Sequence, residues 1–429
     1  MWKQIVIKII LCFIILESVL RIYDVASGYI LSDDLFMLYN KDSWANVVHP
    51  ILTYTNRRSF NGLLPFIEPG RKFTVETNAH GFRTHEFFPK LPNEYRLIVL
   101  GDSFTYGYNA NQTSTYPSVL EQLLQKNISK KISVYSLGVA GYSTIQYSLL
   151  VDMYVDYLKP DMIIVSEDLS DFNEDAGSIG GYILDDDGAP IMPKEPITQT
   201  QPVQNAHFAI GQYGNLIAFA DNYSYWMTKL LFGSSLFHHV YEIYYDLSGQ
   251  LFYLKSLYIT RKAQLHKYPI ITYDSLIRRF GGDFSSHIPE RLFDDLIPYD
   301  LPTARVKYGT TYRLLQHIRD QANKRQIPIY LATYPYPWMV SIQATIPYQI
   351  SFFNAIYDFR KDKVPEDLMS EYAAKLNIPF IDAYPAFRSG LANLYGFYDP
   401  HFSEKGYSVF AHVLFNAISP SIRQTITAQ

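Results

Sequence analysis

The sequence predicts a parallel α/β domain with helices on both faces of one sheet, interrupted by a long aromatic-rich insertion and preceded by an apolar N-terminal segment. Three observations predict it. Five short apolar runs alternate with helical patterns. That rhythm stops over residues 177–304 and then resumes. Residues 5–20 form an apolar run interrupted by Lys8 and Glu17.

The N-terminus, "MWKQIVIKIILCFIILESVLRIYD", is long enough at about 1.5 Å per residue to barely span a bilayer. Lys8 can snorkel to one face and Glu17 lies near the other end. The best cleavage site is the weak "VASG" at 25–28. Residues 1–28 are therefore expected to be a transmembrane anchor or uncleaved signal, with the rest of the chain extracytoplasmic, in the periplasm or at the cell surface. Residues 29–94 form a turn-rich extension punctuated by "IEPG" and "NAHGFRTHEF".

The core begins with 95–176. "YRLIVLG" (95–101) reads as a buried strand, and "YPSVLEQLLQKN" as a helix with Pro117 in its first turn. "KISVYSLGV" (131–139) is the next strand, followed by a helix with Tyr147, Leu150, Tyr154 and Leu158 inward, then the strand "PDMIIVS" (160–166). Within the insertion, "NYSYWMTKLLF", "HHVYEIYYDL" and "QLFYLKSLYI" read as helices. The second core part, 305–429, supplies a helix near 310–325, the strand "IPIYLATYP" (327–335), a helix in "PEDLMSEYAAKLN", the strand "IPFIDAYP" (378–385) and a closing helix from Glu404. Strand and helix in strict alternation with short connections imply a parallel sheet covered on both faces.

Composition narrows the function. Of 429 residues, 48% are hydrophobic and 18% charged, so a large core is available. A net charge of -4 argues against a nucleic-acid partner. Cys12 is the single cysteine, which excludes an internal disulfide and a thiolate metal site. No phosphate loop, nucleotide fingerprint or metal-ligand spacing is visible, so neither a cofactor nor a metal is expected. The 37 tyrosines suit ordinary packing, and also the stacking of sugars.

In open parallel sheets, ligands bind beyond the carboxyl ends of the strands. Ser103 follows the first strand, Gly138 and Gly141 the second, and Ser170, Asp171 and Asn173 the third. Asp382 closes the fifth, and "YDPHFSEKGY" supplies Asp399 and His401 just before the last helix. A serine, a histidine, carboxylates and backbone donors on one sheet edge are the parts of acyl transfer through a serine ester.

The blocks "GDSFTYG", "SLGVAGYST", "PDMIIVSEDLSDFNED" and "DPHFSEKGY", in that order, resemble those of the SGNH (GDSL-type) hydrolase family over residues 70–175 and 305–420. The resemblance implies a flavodoxin-like three-layer α/β/α sandwich with Ser103 as nucleophile, His401 as general base and Asp399 as its partner, Asp382 remaining a possible substitute. Ser103 and Gly141 would supply oxyanion-hole amides. The family expects an asparagine as third donor where this chain has Ser170, so either Ser170 or Asn173 takes that place. Glu167 and Asp168 would oppose an oxyanion if they point inward. Arg83, in "GFRT", would bind an anionic group or form a salt bridge. The implied activity is an esterase on O-acyl, especially O-acetyl, groups of an extracytoplasmic carbohydrate, with the insertion as a lid or sugar platform. The alternatives are a carbohydrate O-acyltransferase, a lipid esterase, or a degenerate domain that binds glycan.

Overall fold

The computed structural model describes residues 2–27, 47–65, 72–195, isolated positions between 236 and 258, 268–289, 292, 296–341, 349, 355–396 and 399–428. Five strands make one sheet: β5 (Glu94–Leu100), β6 (Lys131–Ser136), β7 (Met162–Glu167), β11 (Ile329–Thr333) and β13 (Phe380–Asp382), in spatial order β13-β11-β7-β5-β6. Every neighbouring pair is parallel, with registers such as Val99 opposite both Ser136 and Ile164. Counting core strands from the N-terminus, this is the flavodoxin-like order 2-1-3-4-5, whose switch point lies between β5 and β7.

The strands are short and apolar because the sheet is buried on both faces. All seven residues of β5 are buried. Two of them, Glu94 and Arg96, are charged, and they survive burial as an ion pair at 2.8 Å. Arg96 also donates to the carbonyls of Leu158 and Phe88 and lies over the Tyr135 ring. Helices α3 (Tyr116–Asn127) and α11 (Glu404–Ala428) pack together on one face of the sheet. On the other, α4 (Thr144–Leu158), α8 (Gly309–Lys324) and α9 (Val364–Leu376) pack as a second layer, with α5 (Leu169–Ser178) at its edge. The predicted three-layer α/β/α sandwich is present.

The extension preceding the core forms two hairpins, β1 (Val47–His49) with β2 (Thr53–Thr55), and β3 (Asn61–Pro65) with β4 (Lys72–Glu76). Phe60, Phe73 and Val75 of this region form a small buried cluster with Tyr106 and Tyr108. The extension is thus built onto the loop after Ser103.

The N-terminal expectation needs correction. Residues Trp2–Ser27 do form a helix, α1, but among the described residues no helix is long and apolar enough to cross a membrane. Each stretch of 18 residues within α1 holds at least three of Lys3, Lys8, Glu17, Arg21 and Asp24, too many charges for a span.

Of the insertion, "NYSYWMTKLLF" lies outside the described residues. Described positions in "HHVYEIYYDL" and "QLFYLKSLYI", among them Val240, Ile243, Leu251 and Leu254, are helical. The insertion also holds the hairpin of β8 (Tyr182–Leu184) and β9 (Pro190–Pro193), and β10 (Ile270–Thr272), which leads into α6 (Tyr273–Phe280) and pairs in parallel with β12 (Ile356–Asp358). Two short helices complete the chain order, α7 (Leu301–Lys307) and α10 (Tyr384–Phe387).

Candidate active site

Strand β5 ends at Leu100 and the chain turns at once into α2 (Ser103–Tyr106). Gly101 permits the turn because a Cβ there would fall 1.8 Å from the Thr105 hydroxyl oxygen. Asp102 is the N-cap: its Oδ1 accepts from the Phe104 amide at 2.9 Å and from the Tyr334 hydroxyl at 3.2 Å. Ser103, the first residue of the helix, therefore stands at the sheet's carboxyl edge beside the switch point. The loop that follows is tied back to it, since the amides of Gly107 and Tyr108 both donate to the Ser103 carbonyl at 3.0 Å.

The other half of the site arrives on the loop before α11. His401 Nε2 lies 2.7 Å from Ser103 Oγ, and His401 Nδ1 lies 2.5 Å from Asp399 Oδ1. The imidazole lies against the rings of Phe104 and Tyr108, tilted by 39° and 31°, with ring centroids 4.7 and 5.2 Å away. Asp399 is buried, at 1% exposure, and its second oxygen accepts from the side-chain amide of Asn109. Asp382 is exposed and accepts from the Tyr384 amide at 2.8 Å. Between the two carboxylates weighed from the sequence, Asp399 is the one that meets the imidazole.

Gly141 has φ +75°, a left-handed conformation that glycine adopts without strain. Its loop is braced from outside the core: the Tyr54 hydroxyl sits 2.9 Å from the Ala140 carbonyl oxygen and 2.7 Å from that of Gly141. Neither Tyr54 nor Asn109 stood out in the sequence. The signal for Asn109 was its place two residues beyond the glycine of "GDSFTYG", in a turn; Tyr54 carried none.

The third block differs from expectation. Asn173 is engaged elsewhere, its amide nitrogen donating to the Leu296 carbonyl at 3.1 Å and its oxygen accepting from the Tyr308 hydroxyl at 2.6 Å. These contacts pin α5 to the chain before α7 and to the junction between α7 and α8, so the side chain is spoken for as a structural link. Ser170 lies in the first turn of α5, and its amide donates to Asp168 Oδ1 at 2.6 Å.

Glu167 and Asp168 do not face solvent; both are buried. Glu167 accepts from the Thr144 hydroxyl, and burial, then the charge of Asp175, pushes its carboxyl well above the usual range. Asp168 accepts from the Tyr336 hydroxyl at 3.0 Å. Burial, then Glu167, likewise raises Asp171 well above its ordinary value. Burial thus disfavours the charged form of both Glu167 and Asp171.

Arg83 takes neither role foreseen for it. Buried at 3% exposure, it donates to the carbonyls of Tyr106, Gly107, Thr74 and Ala110 and to the Gln112 side chain. Burial pulls its guanidinium down to about 10. It organises the loop after Ser103. Among the described residues, no group of histidines, cysteines and carboxylates is placed to hold a metal ion.

No family model matches the chain, and no curated protein matches it. The solved structures it resembles are GDSL-type hydrolases and acetylxylan esterases. A catalytic mutant of an acetylxylan esterase from Geobacillus stearothermophilus is 12% identical, with 77% of this chain and 96% of that one covered and a TM-score of 0.35. A GDSL-like lipase from Bacteroides thetaiotaomicron is 11% identical, with 77% and 91% covered and a TM-score of 0.33. An acetyl xylan esterase is 10% identical, with 75% and 99% covered and a TM-score of 0.34. Likenesses this distant assign no residue a role.

Proposed function

We propose that this chain is an SGNH-type serine esterase that removes O-acyl, and specifically O-acetyl, groups from an extracytoplasmic carbohydrate. One observation carries the reading: the unbroken hydrogen-bonded line from Ser103 Oγ through His401 to Asp399. In this reading Ser103 Oγ attacks the acyl carbonyl carbon while its proton passes to His401 Nε2. The carbonyl electron pair moves onto oxygen, where the amides of Ser103 and Gly141 receive it. The tetrahedral adduct collapses, the sugar oxygen leaves with the proton from His401, and an acyl-serine remains. Water then repeats the cycle, giving the free acid and restoring Ser103. Asp399, accepting from His401 Nδ1, stabilises the imidazolium. Ser170 is the candidate for the third donor, because Asn173 is otherwise employed. The exposed apolar side chains of α1, with Lys3 and Lys8 towards its N-terminal end, support attachment to a membrane.

The test is covalent labelling. A fluorophosphonate probe should label the wild-type chain and not Ser103→Ala. No labelling of the wild-type protein between pH 6 and 9 would reduce it to a glycan-binding relative without chemistry.

A further inference from the structure

A carboxylate as buried as Asp399 needs hydrogen-bond donors for both oxygens. On Oδ1 it has His401 Nδ1 at 2.5 Å and the His401 amide at 3.2 Å. On Oδ2 it has Asn109. Among the described residues His401 is the only ionic partner of Asp399, so hydrogen bonds hold the rest of its charge. The other titratable groups around it are Tyr108 and Tyr407, both pushed up by burial first and then by the Asp399 charge, and Arg83 behind the loop.

Asn109 is suited to this contact in three ways. Its backbone φ is +61°, a left-handed position that asparagine tolerates better than most side chains. It is buried at 6% exposure. It also belongs to a loop fixed at both ends, by the Ser103 carbonyl and by four of the Arg83 contacts. Two flanking contacts join the same loop to α11: the Tyr407 hydroxyl donates to the Tyr108 carbonyl at 2.8 Å, and the Asn111 amide groups donate to Glu404. Those contacts hold the loops together without touching Asp399. The Asn109 amide does something they do not: it occupies Oδ2 and so turns Oδ1 towards the imidazole.

We propose that Asn109 is a positioning residue that sets the Asp399 carboxylate for His401. The proposal rests on the esterase reading for its kinetic consequence, not for its geometry. Asn109→Gly removes the amide and keeps the left-handed backbone. Asn109→Asp keeps the shape, also tolerates positive φ, and replaces the donor with a repelling carboxylate; it serves as the second variant should glycine loosen the loop.

With 4-nitrophenyl acetate, both variants should lose kcat by roughly 10- to 100-fold, the worth of one hydrogen bond to a charged group, with KM nearly unchanged. A merely structural contact would move the melting temperature instead. The second readout needs no turnover: in protein carrying 15N-labelled histidine, the downfield Nδ1 proton of His401 should be present in wild type and in Ser103→Ala and be lost or displaced in both Asn109 variants. Loss of that signal in both Asn109 variants, beside a wild-type protein that shows the signal but no ester turnover, would sustain the positioning role and sink the esterase reading. Unchanged kcat together with an unchanged signal, in a background where Ser103→Ala abolishes turnover, would overturn the positioning role alone.

Discussion

The Ser103 hydroxyl has one proton and two acceptors within reach, His401 Nε2 at 2.7 Å and Asp102 Oδ2 at 3.0 Å. Only transfer to the imidazole leads to chemistry, because only His401 can return the proton to a leaving group. Asp102 is committed elsewhere, accepting from the Phe104 amide and the Tyr334 hydroxyl, so its place is that of a helix cap. Deleting the imidazole should therefore leave a folded protein whose serine hydroxyl donates to Asp102 alone. For His401→Ala, initial rates on 4-nitrophenyl acetate should fall by about 10⁴-fold or more, with the thermal transition within a few degrees of wild type. Near-normal rates would remove His401 as the base. Ser103, His401 and Asp399 were legible in the sequence because each sits where a predicted strand or helix begins or ends. Asn109 was not, because its role depends on a carboxylate 290 residues away.

Helix α5 shows where local pattern stops being informative. Counting along the third block put Ser170 at the donor position and left Asn173 as its rival; residues three apart share a helix face, so the helical pattern alone does not separate them and tertiary partners do. Leu296 and Tyr308, more than a hundred residues on, claim Asn173. The same helix buries Asp171 and Asp175, which the sequence presents as ordinary acidic residues. Asp175 accepts from the Thr311 hydroxyl at 2.7 Å, and burial raises its carboxyl to about 6. Between pH 4 and 6 the folded state then keeps a proton that the unfolded chain has released. Stability is fully present at the acid end of that window and falls as pH rises through it, by about 3 kcal/mol at most for this group. Glu167 and Asp171, also raised by burial, act in the same direction. Chemical denaturation between pH 4 and 7 should show the decline, and Asp175→Asn should make it shallower over pH 4 to 6. An identical slope in the variant would place the titration on other groups.

At the scale of the whole molecule, the fold brings together a serine and a histidine 298 residues apart because both follow core strands whose carboxyl ends share one edge. Alternating apolar runs made that topology class readable, since burial on both faces leaves little freedom in strand composition. The membrane expectation fared differently. The sequence reading allowed Lys8 to snorkel and Glu17 to sit near the far end of residues 1–28, but every 18-residue stretch of α1 carries at least three charges, and no described helix is long and apolar enough to cross a membrane. What remains is a large apolar surface. Ile7, Phe13, Ile15 and Ile22 of α1 are each more than half exposed, as are Val240, Ile243, Leu251 and Leu254 of the insertion. The two sets are neighbours: the Leu236 amide donates to Glu17 at 2.9 Å, and the rings of Tyr23 and His239 lie 6.2 Å apart. Exposed apolar surface on this scale marks an interaction site, and Lys3 and Lys8 at one end favour an anionic lipid surface. The full chain should therefore co-sediment with vesicles containing phosphatidylglycerol, more weakly with purely zwitterionic ones, and leave the membrane in alkaline carbonate. Removal of residues 2–27 should cut the bound fraction by roughly tenfold or more, with ester turnover in solution retained. A full-length protein that stays in the supernatant with both kinds of vesicle would assign this surface to a protein partner, and one that resists carbonate would restore the span that the charges of α1 argue against.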